Sequence, residues 1–262
     1  MHFVYILAAI IPAILILFYV YKQDEFPEPR PIVIKTFLFG CAITLAVKLL
    51  IPAFDDYSQK YFTGETYYFF DSFIRAAFLE EFFKLFILVF YCSRKTEFDE
   101  PMDGLVYGVA ASLGFAAYEN IEYVLYYYKE PSFQMAYMRA LSAVPMHALV
   151  GVVMGFLITQ SIFEKKHNYL NLFMALSIPV LTHGFYNYIY STSLISNYMT
   201  TVLLFAMFLR AIYMFRDLKK KQIAGPKIHA KKYFITGEKI FSISASLLFI
   251  LLVANYLIEL TT

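Results

Sequence analysis

Long apolar runs recur along the chain, and they restrict the fold more than any other feature. The first is "HFVYILAAIIPAILILFYVY", residues 2–21, and others cover about 32–52, 67–92, 102–128, 136–163, 169–190, 195–215 and 239–259. A run of about 20 apolar residues matches a hydrocarbon core about 30 Å thick. Lipid offers a backbone no hydrogen-bond partners, so each span must be helical. The sequence therefore predicts an all-α, polytopic transmembrane helix bundle of about eight spans. Polar connectors such as "KQDEFPEPRP" and "SRKTEFDEP" separate the runs. With no low-complexity tract and no internal repeat, residues 1–262 read as one membrane-embedded domain.

Composition agrees with this class. Sixty per cent of the 262 residues are hydrophobic (60%) and 16% are charged, too little polar surface for a soluble domain of this length. The formal net charge of +2 makes no case for nucleic acid as a partner. The first run lacks a basic leader, so it reads as a transmembrane helix rather than a cleaved signal. Cys41 and Cys92 lie at or within apolar segments without a CxxC pattern, as buried free thiols do.

Basic residues set the orientation. Lys22, Arg30, Arg94, Lys95, Lys165, Lys166 and the stretch from Arg216 to Lys232 fall in one set of alternate connectors. Lys60 and Lys129, with Arg139 close by, fall in the other. Positive charge collects on the cytoplasmic side, so both termini are expected to be extracytoplasmic. The segment "RDLKKKQIAGPKIHAKKYF" is expected to touch anionic headgroups. Gly104 with Gly108, and Gly151 with Gly155, stand at the GxxxG spacing that lets membrane helices approach closely.

Against this apolar background, four consecutive spans carry polar groups. The third holds Glu80, Glu81 and Lys84; the fourth holds Glu119, Asn120 and Glu122; the fifth holds His147 and the sixth His183. Ionisable groups inside a membrane usually face a cavity or a partner. Residues four apart share a helix face, which stacks Glu80 on Lys84, Phe115 on Glu119 and His183 on Asn187. Lys84 is expected to pair with Glu80 and to leave Glu81, about 100° around the helix, available. The drawn boundaries bring the carboxylates and both imidazoles to one level, somewhat toward the outer leaflet. Asn120 and Asn187 read as packing amides, and Arg75 and Glu122 as facing neighbouring helices or headgroups.

Carboxylate oxygens and neutral imidazoles are suitable zinc ligands, and a catalytic zinc takes three protein ligands plus a water. A nearby glutamate can accept the proton of that water. A glutamate and a histidine can also activate water without metal. Either route leads to hydrolysis within the membrane.

"EEFFK" on one helix, "FAAYEN" on the next and one histidine on each of the following two resemble the PrsW family of membrane-embedded proteases. The resemblance covers about residues 67–190, which marks this stretch as the catalytic core. It implies kinship with a wider group that includes the CAAX prenyl endopeptidases and the scaffold subunit of gamma-secretase. It also implies an endopeptidase that cuts a membrane-anchored substrate near the extracytoplasmic face, in the manner of a first cut in an anti-sigma factor. Carried over by position, Glu80 and Glu81 match the paired glutamates, Lys84 the motif lysine, Glu119 the second-motif glutamate, and His147 and His183 the two histidines.

The leading reading is thus an endopeptidase of a bacterial cytoplasmic membrane, with the bilayer and a membrane-anchored protein as partners. Glu81 is expected to activate water, with Glu119 close behind as a candidate. Glu119, His147 and His183 would hold zinc or another divalent metal, or position the substrate carbonyl, while Lys84 tunes Glu80. A metal-free glutamate and histidine mechanism remains open. Two alternatives use the same residues. A proton- or ion-coupled transporter relays protons through such groups, although no inverted repeat or broken helix pair is evident. A non-catalytic scaffold would use them only to lock helices together.

Overall fold

The computed structural model describes residues 2–163 and 168–224, which are predominantly helical with no strand among them. Helix α1 is His2–Lys22 and α2 is Arg30–Tyr61. A short α3, Gly64–Phe70, runs through a π-helical stretch, Asp71–Phe78, into α4, Leu79–Phe90. A 3₁₀ turn at Cys92–Arg94 leads to α5, Pro101–Tyr126. Then come α6, Phe133–Leu141; α7, Ala143–Phe163; α8, Asn168–Ser191; and α9, Tyr198–Ala224.

Among the described residues, four stretches are long and apolar enough to cross a membrane: His2–Lys22, Arg30–Tyr61, Phe133–Phe163 and Tyr198–Ile223. They fall in the first, second, fifth and seventh expected spans; the third, fourth and sixth are largely helical but are not among the four. The eighth, 239–259, lies outside the described residues, as do Lys165, Lys166 and the basic segment beyond residue 224.

Helix α5 is the axis of the bundle, packed against α7, α2 and α1. Every residue from Met102 to Ala117 is buried, as befits a helix that is apolar all round. Glycines make the close approach possible. A Cβ on Gly155 would collide with the Gly104 carbonyl, and one on Gly108 with the Gly151 carbonyl, so the two GxxxG pairs face each other across α5 and α7. A second close approach has no such motif: Gly40 of α2 lies on Ala111, and Gly114 of α5 lies on Phe37. Leu15 and Phe18 of α1, Leu49 of α2 and Phe205 of α9 point outward, as lipid-facing side chains do.

Two segments depart from the regular helices expected. Residues 67–92 include the π-helical stretch, a form that recurs at functional sites and rotates whatever follows it. Residues 136–163 are not one helix either. Ser142, at φ −126° and ψ −71°, separates α6 from α7. Pro145 accounts for this break, because it has no N–H for the Leu141 carbonyl four residues earlier and its ring crowds that group. It is tolerated in the first turn of α7, where the N–H has no helical partner.

At the opposite end of the bundle from α6, polar side chains tie the elements together. Glu100 and Asp103 form a capping box at the start of α5, and Pro101 occupies its first turn. Gln222 of α9 donates to Asp24 Oδ1 at 2.6 Å and to Glu100 Oε2 at 2.8 Å. Glu28, in the α1–α2 connector, accepts from the Tyr107 hydroxyl. Burial pushes the Glu28 carboxyl up to about 7; hydrogen bonds with Asp103 and Tyr107 oppose the rise, and the charges of Asp24 and Asp99 add to it.

Candidate active site

Four helices converge on the polar centre. The π-helical stretch delivers the first turn of α4 inward, so Glu80, Glu81 and Lys84 are all buried. Helix α5 contributes Glu119, α7 contributes His147 and α8 contributes His183. Gly184 lies against the Phe73 ring, which draws α8 close to the π-helical stretch and seats His183 beside the paired glutamates.

Lys84 sits at the middle of the cluster with no exposed side-chain surface. Its Nζ is 2.7 Å from Glu81 Oε1, 3.1 Å from His147 Nδ1 and 3.7 Å from Glu80 Oε2. It also stands 4.4 Å from the centre of the Phe115 ring, a cation–π contact. The expected pairing of Lys84 with Glu80 is therefore the longer of two, and Glu81, expected to be left over, is its nearer partner. Side chains three apart on a helix meet as readily as those four apart, and the tertiary setting selects between them.

The imidazoles complete the cluster. His183 Nδ1 lies 2.8 Å from Glu81 Oε1, and its Nε2 lies 3.9 Å from Glu80 Oε2. The two rings are nearly perpendicular, with centres 5.1 Å apart. His147 Nε2 is 3.1 Å from Glu119 Oε2. That same oxygen accepts from Arg139 Nη2 at 2.5 Å.

Glu80, Glu81, His147 and His183 each offer a ligand atom, and these atoms lie within 4.8 Å of one another. Two buried oxygens there, Glu80 Oε2 and Glu81 Oε2, have no hydrogen-bond partner among the described residues. Orphaned carboxylate oxygens beside two imidazole nitrogens suit a divalent metal, so this group could hold one. Glu119, expected among the ligands, lies outside the group of four and is engaged by Arg139 and His147.

A cavity of about 720 Å³ reaches the cluster. Glu80, Glu119, Arg139, His147, His183 and Tyr186 line it, whereas Glu81 and Lys84 lie behind. Its outer wall includes Tyr127 and Tyr128, both exposed, from the end of α5. Asn187 also lines it, Arg75 pairs with Asp71 and Asp55, and Glu122 pairs with Lys48.

Arg139 escaped the sequence reading, which counted it among connector charges. The signal was present, since residue 139 falls within the expected span 136–163, where a charge is costly and marks a functional position. Asn120, read as a packing amide, accepts from Arg139 Nε at 2.6 Å and donates to the Ala9 carbonyl at 3.2 Å.

Residues 28–213 match the family model described as PrsW family intramembrane metalloprotease. Relatives named Protease PrsW are among the proteins the chain matches. That of Bacillus subtilis is 36% identical over 209 residues, covering 79% of this chain and 91% of the relative. That of Oceanobacillus iheyensis is 35% identical over 185 residues, covering 70% and 80% respectively. That of Clostridioides difficile is 30% identical over 239 residues, covering 87% and 93%. No solved structure matches the chain. The match extends well beyond the glutamate and histidine motifs, into α2 at one end and α9 at the other, and the chain belongs to the PrsW family of intramembrane metalloproteases.

Proposed function

We propose that this membrane protease spans the bilayer of a bacterial cytoplasmic membrane eight times. In this reading it hydrolyses a peptide bond of a membrane-anchored regulatory protein, such as an anti-sigma factor, near the extracytoplasmic face. Support for the side of cleavage comes from the cavity. Its outer residues lie on the ends of α5 and α8 and on α6, the side that the Lys and Arg distribution assigns to the exterior.

Glu80 is the general base in this reading. The observation that carries it is Glu80 Oε2, which accepts no hydrogen bond among the described residues, on a side chain that lines the cavity. Glu81 is a less suitable base, because it lies behind the cavity and its Oε1 is held by Lys84 and His183. Glu81, His147 and His183 would hold a divalent metal, zinc by the chemistry of the set, leaving Glu80 beside it. Such a metal, when bound, supplies charge that acidifies water and polarises a carbonyl. Glu80 accepts a proton from water as the water oxygen bonds to the peptide carbonyl carbon. It then returns that proton to the peptide nitrogen as the C–N bond breaks, releasing a carboxyl and an amine terminus. Lys84 offsets the buried charge of Glu81.

Metal analysis of purified protein, paired with cleavage of a single-span substrate bearing an outward-facing reporter, tests this. Zinc is expected at about one per chain, with cleavage abolished by chelator and restored by zinc. Glu80→Gln should keep its zinc and lose about 10²–10⁴-fold in rate. Cleavage by Glu80→Gln at the native rate would overturn the assignment.

A further inference from the structure

We infer that Arg139 is a positioning residue: acting through Glu119, it fixes the tautomer and orientation of His147, so that the lone pair lies on Nδ1, the nitrogen beside Lys84. The inference rests on the catalytic reading above and adds a residue to it.

The guanidinium is held on several sides. Arg139 Nη2 donates to Glu119 Oε2 at 2.5 Å, and Nε donates to Asn120 Oδ1 at 2.6 Å. One planar fork thus engages two consecutive residues of α5. The guanidinium also lies 3.9 Å from the centre of the Tyr123 ring, one helical turn further along. Asn120 is anchored in turn to the Ala9 carbonyl of α1. Helix α6, which carries Arg139, is fastened to α1 by the stacked rings of Tyr5 and Phe133, 4.2 Å apart, and is capped by Ser132.

Glu119 Oε2, pinned by Arg139, is the oxygen 3.1 Å from His147 Nε2. A carboxylate accepts there, so the ring proton belongs on Nε2. On the other side of the ring, Nδ1 lies 3.1 Å from the Lys84 ammonium, which can only donate. In the metal-free protein both neighbours favour the same tautomer, with the lone pair on Nδ1, which would turn from Lys84 to a metal when one binds. The Lys84 ammonium is shared with Glu81 and Glu80, so the Glu119 contact is the one that holds the ring. Carboxylate partners play this part for metal-binding histidines generally. Without the fork, Glu119 is free to rotate into the cavity that it lines, and His147 loses its anchor.

A simple ion pair joining α6 to α5 would have different consequences. Lysine preserves the charge but lacks the planar fork that engages Glu119 and Asn120 together. The experiment uses full-length Arg139→Lys and Arg139→Gln proteins. Selective ¹⁵N-histidine spectra of metal-free protein, with the His147 signals assigned by His147→Gln, read the tautomer directly. Native protein should show protonated Nε2 and unprotonated Nδ1, whereas both variants should show mixed tautomers. Zinc titration should give affinities lower by about 10–100-fold, with kcat falling by a similar factor and KM nearly unchanged. A folded Arg139→Lys protein with the native His147 spectrum and native kcat would overturn the inference, even if Arg139→Gln did not fold. If native protein bound no zinc, the metal reading would fail, yet the tautomer change on substitution would still decide the role of Arg139.

Discussion

Glu81 and Lys84 form an ion pair at 2.7 Å in which neither side chain has any exposed surface. Breaking such a pair from one side strands the other charge in the interior, at a cost of about 3–5 kcal/mol. Lys84→Met should therefore destabilise the protein strongly, and adding Glu81→Gln to it should recover part of the loss. Thermal unfolding of the single and double variants in detergent checks this. A Lys84→Met protein as stable as the native one would contradict the pairing.

Glu80 and Glu81 are adjacent in sequence but differ in setting. Glu80 lines the cavity, while Glu81 is closed in by Lys84 and His183. Glu81→Gln should lose zinc along with activity, and His183→Ala should do the same. Glu80→Gln should lose activity alone. Metal content of the three purified variants separates the roles, and equal zinc retention in all three would remove Glu81 and His183 from the ligand set.

The α5–α7 contact depends on glycine. A side chain at Gly155 would meet the Gly104 carbonyl and Leu105 Cα, which are backbone atoms that cannot rotate away. Gly155→Val should destabilise the bundle by about 1–3 kcal/mol or more. Since α5 and α7 carry Glu119 and His147, activity should fall with it. A melting temperature matching the native value would mean the helices separate without penalty.

Glu28 predicts a pH dependence far from the catalytic centre. A carboxyl whose folded value is raised favours the folded state below its ordinary value near 4.5, and that contribution is lost as pH climbs through about 7. Glu28→Gln stays neutral and can still accept from Tyr107. It should match the native protein below about pH 4 and exceed it by about 3 kcal/mol at pH 8. Unfolding profiles of both proteins across this range provide the check, and parallel profiles would count against the raised value.

Much of the architecture was legible in the residues. Apolar runs set by bilayer thickness marked the helices, and GxxxG spacing marked glycines at helix contacts, while the pairing of Gly104 with Gly155 and Gly108 with Gly151 came from the packing. Glu80, Glu81, Lys84, Glu119, His147 and His183 stood out because charge inside lipid is expensive, and they do meet in space. The carrier and scaffold alternatives drew on the same charges, and the relatives, named as proteases, decide for hydrolysis.

The sequence by itself determined which residues lie within the bundle and which share a helix face, because bilayer thickness and the 3.6-residue repeat act locally. Only the tertiary structure decided which carboxylate meets which cation. The azimuth of Glu80 and Glu81 depends on the π-helical turns before them, and Arg139 reaches Glu119 from α6, which the break at Ser142 sets apart from α7. Such rotations between helices leave no periodic trace in the residues. They are set by packing, here by glycine contacts that bring α5, α7 and α8 close enough for the polar groups to touch.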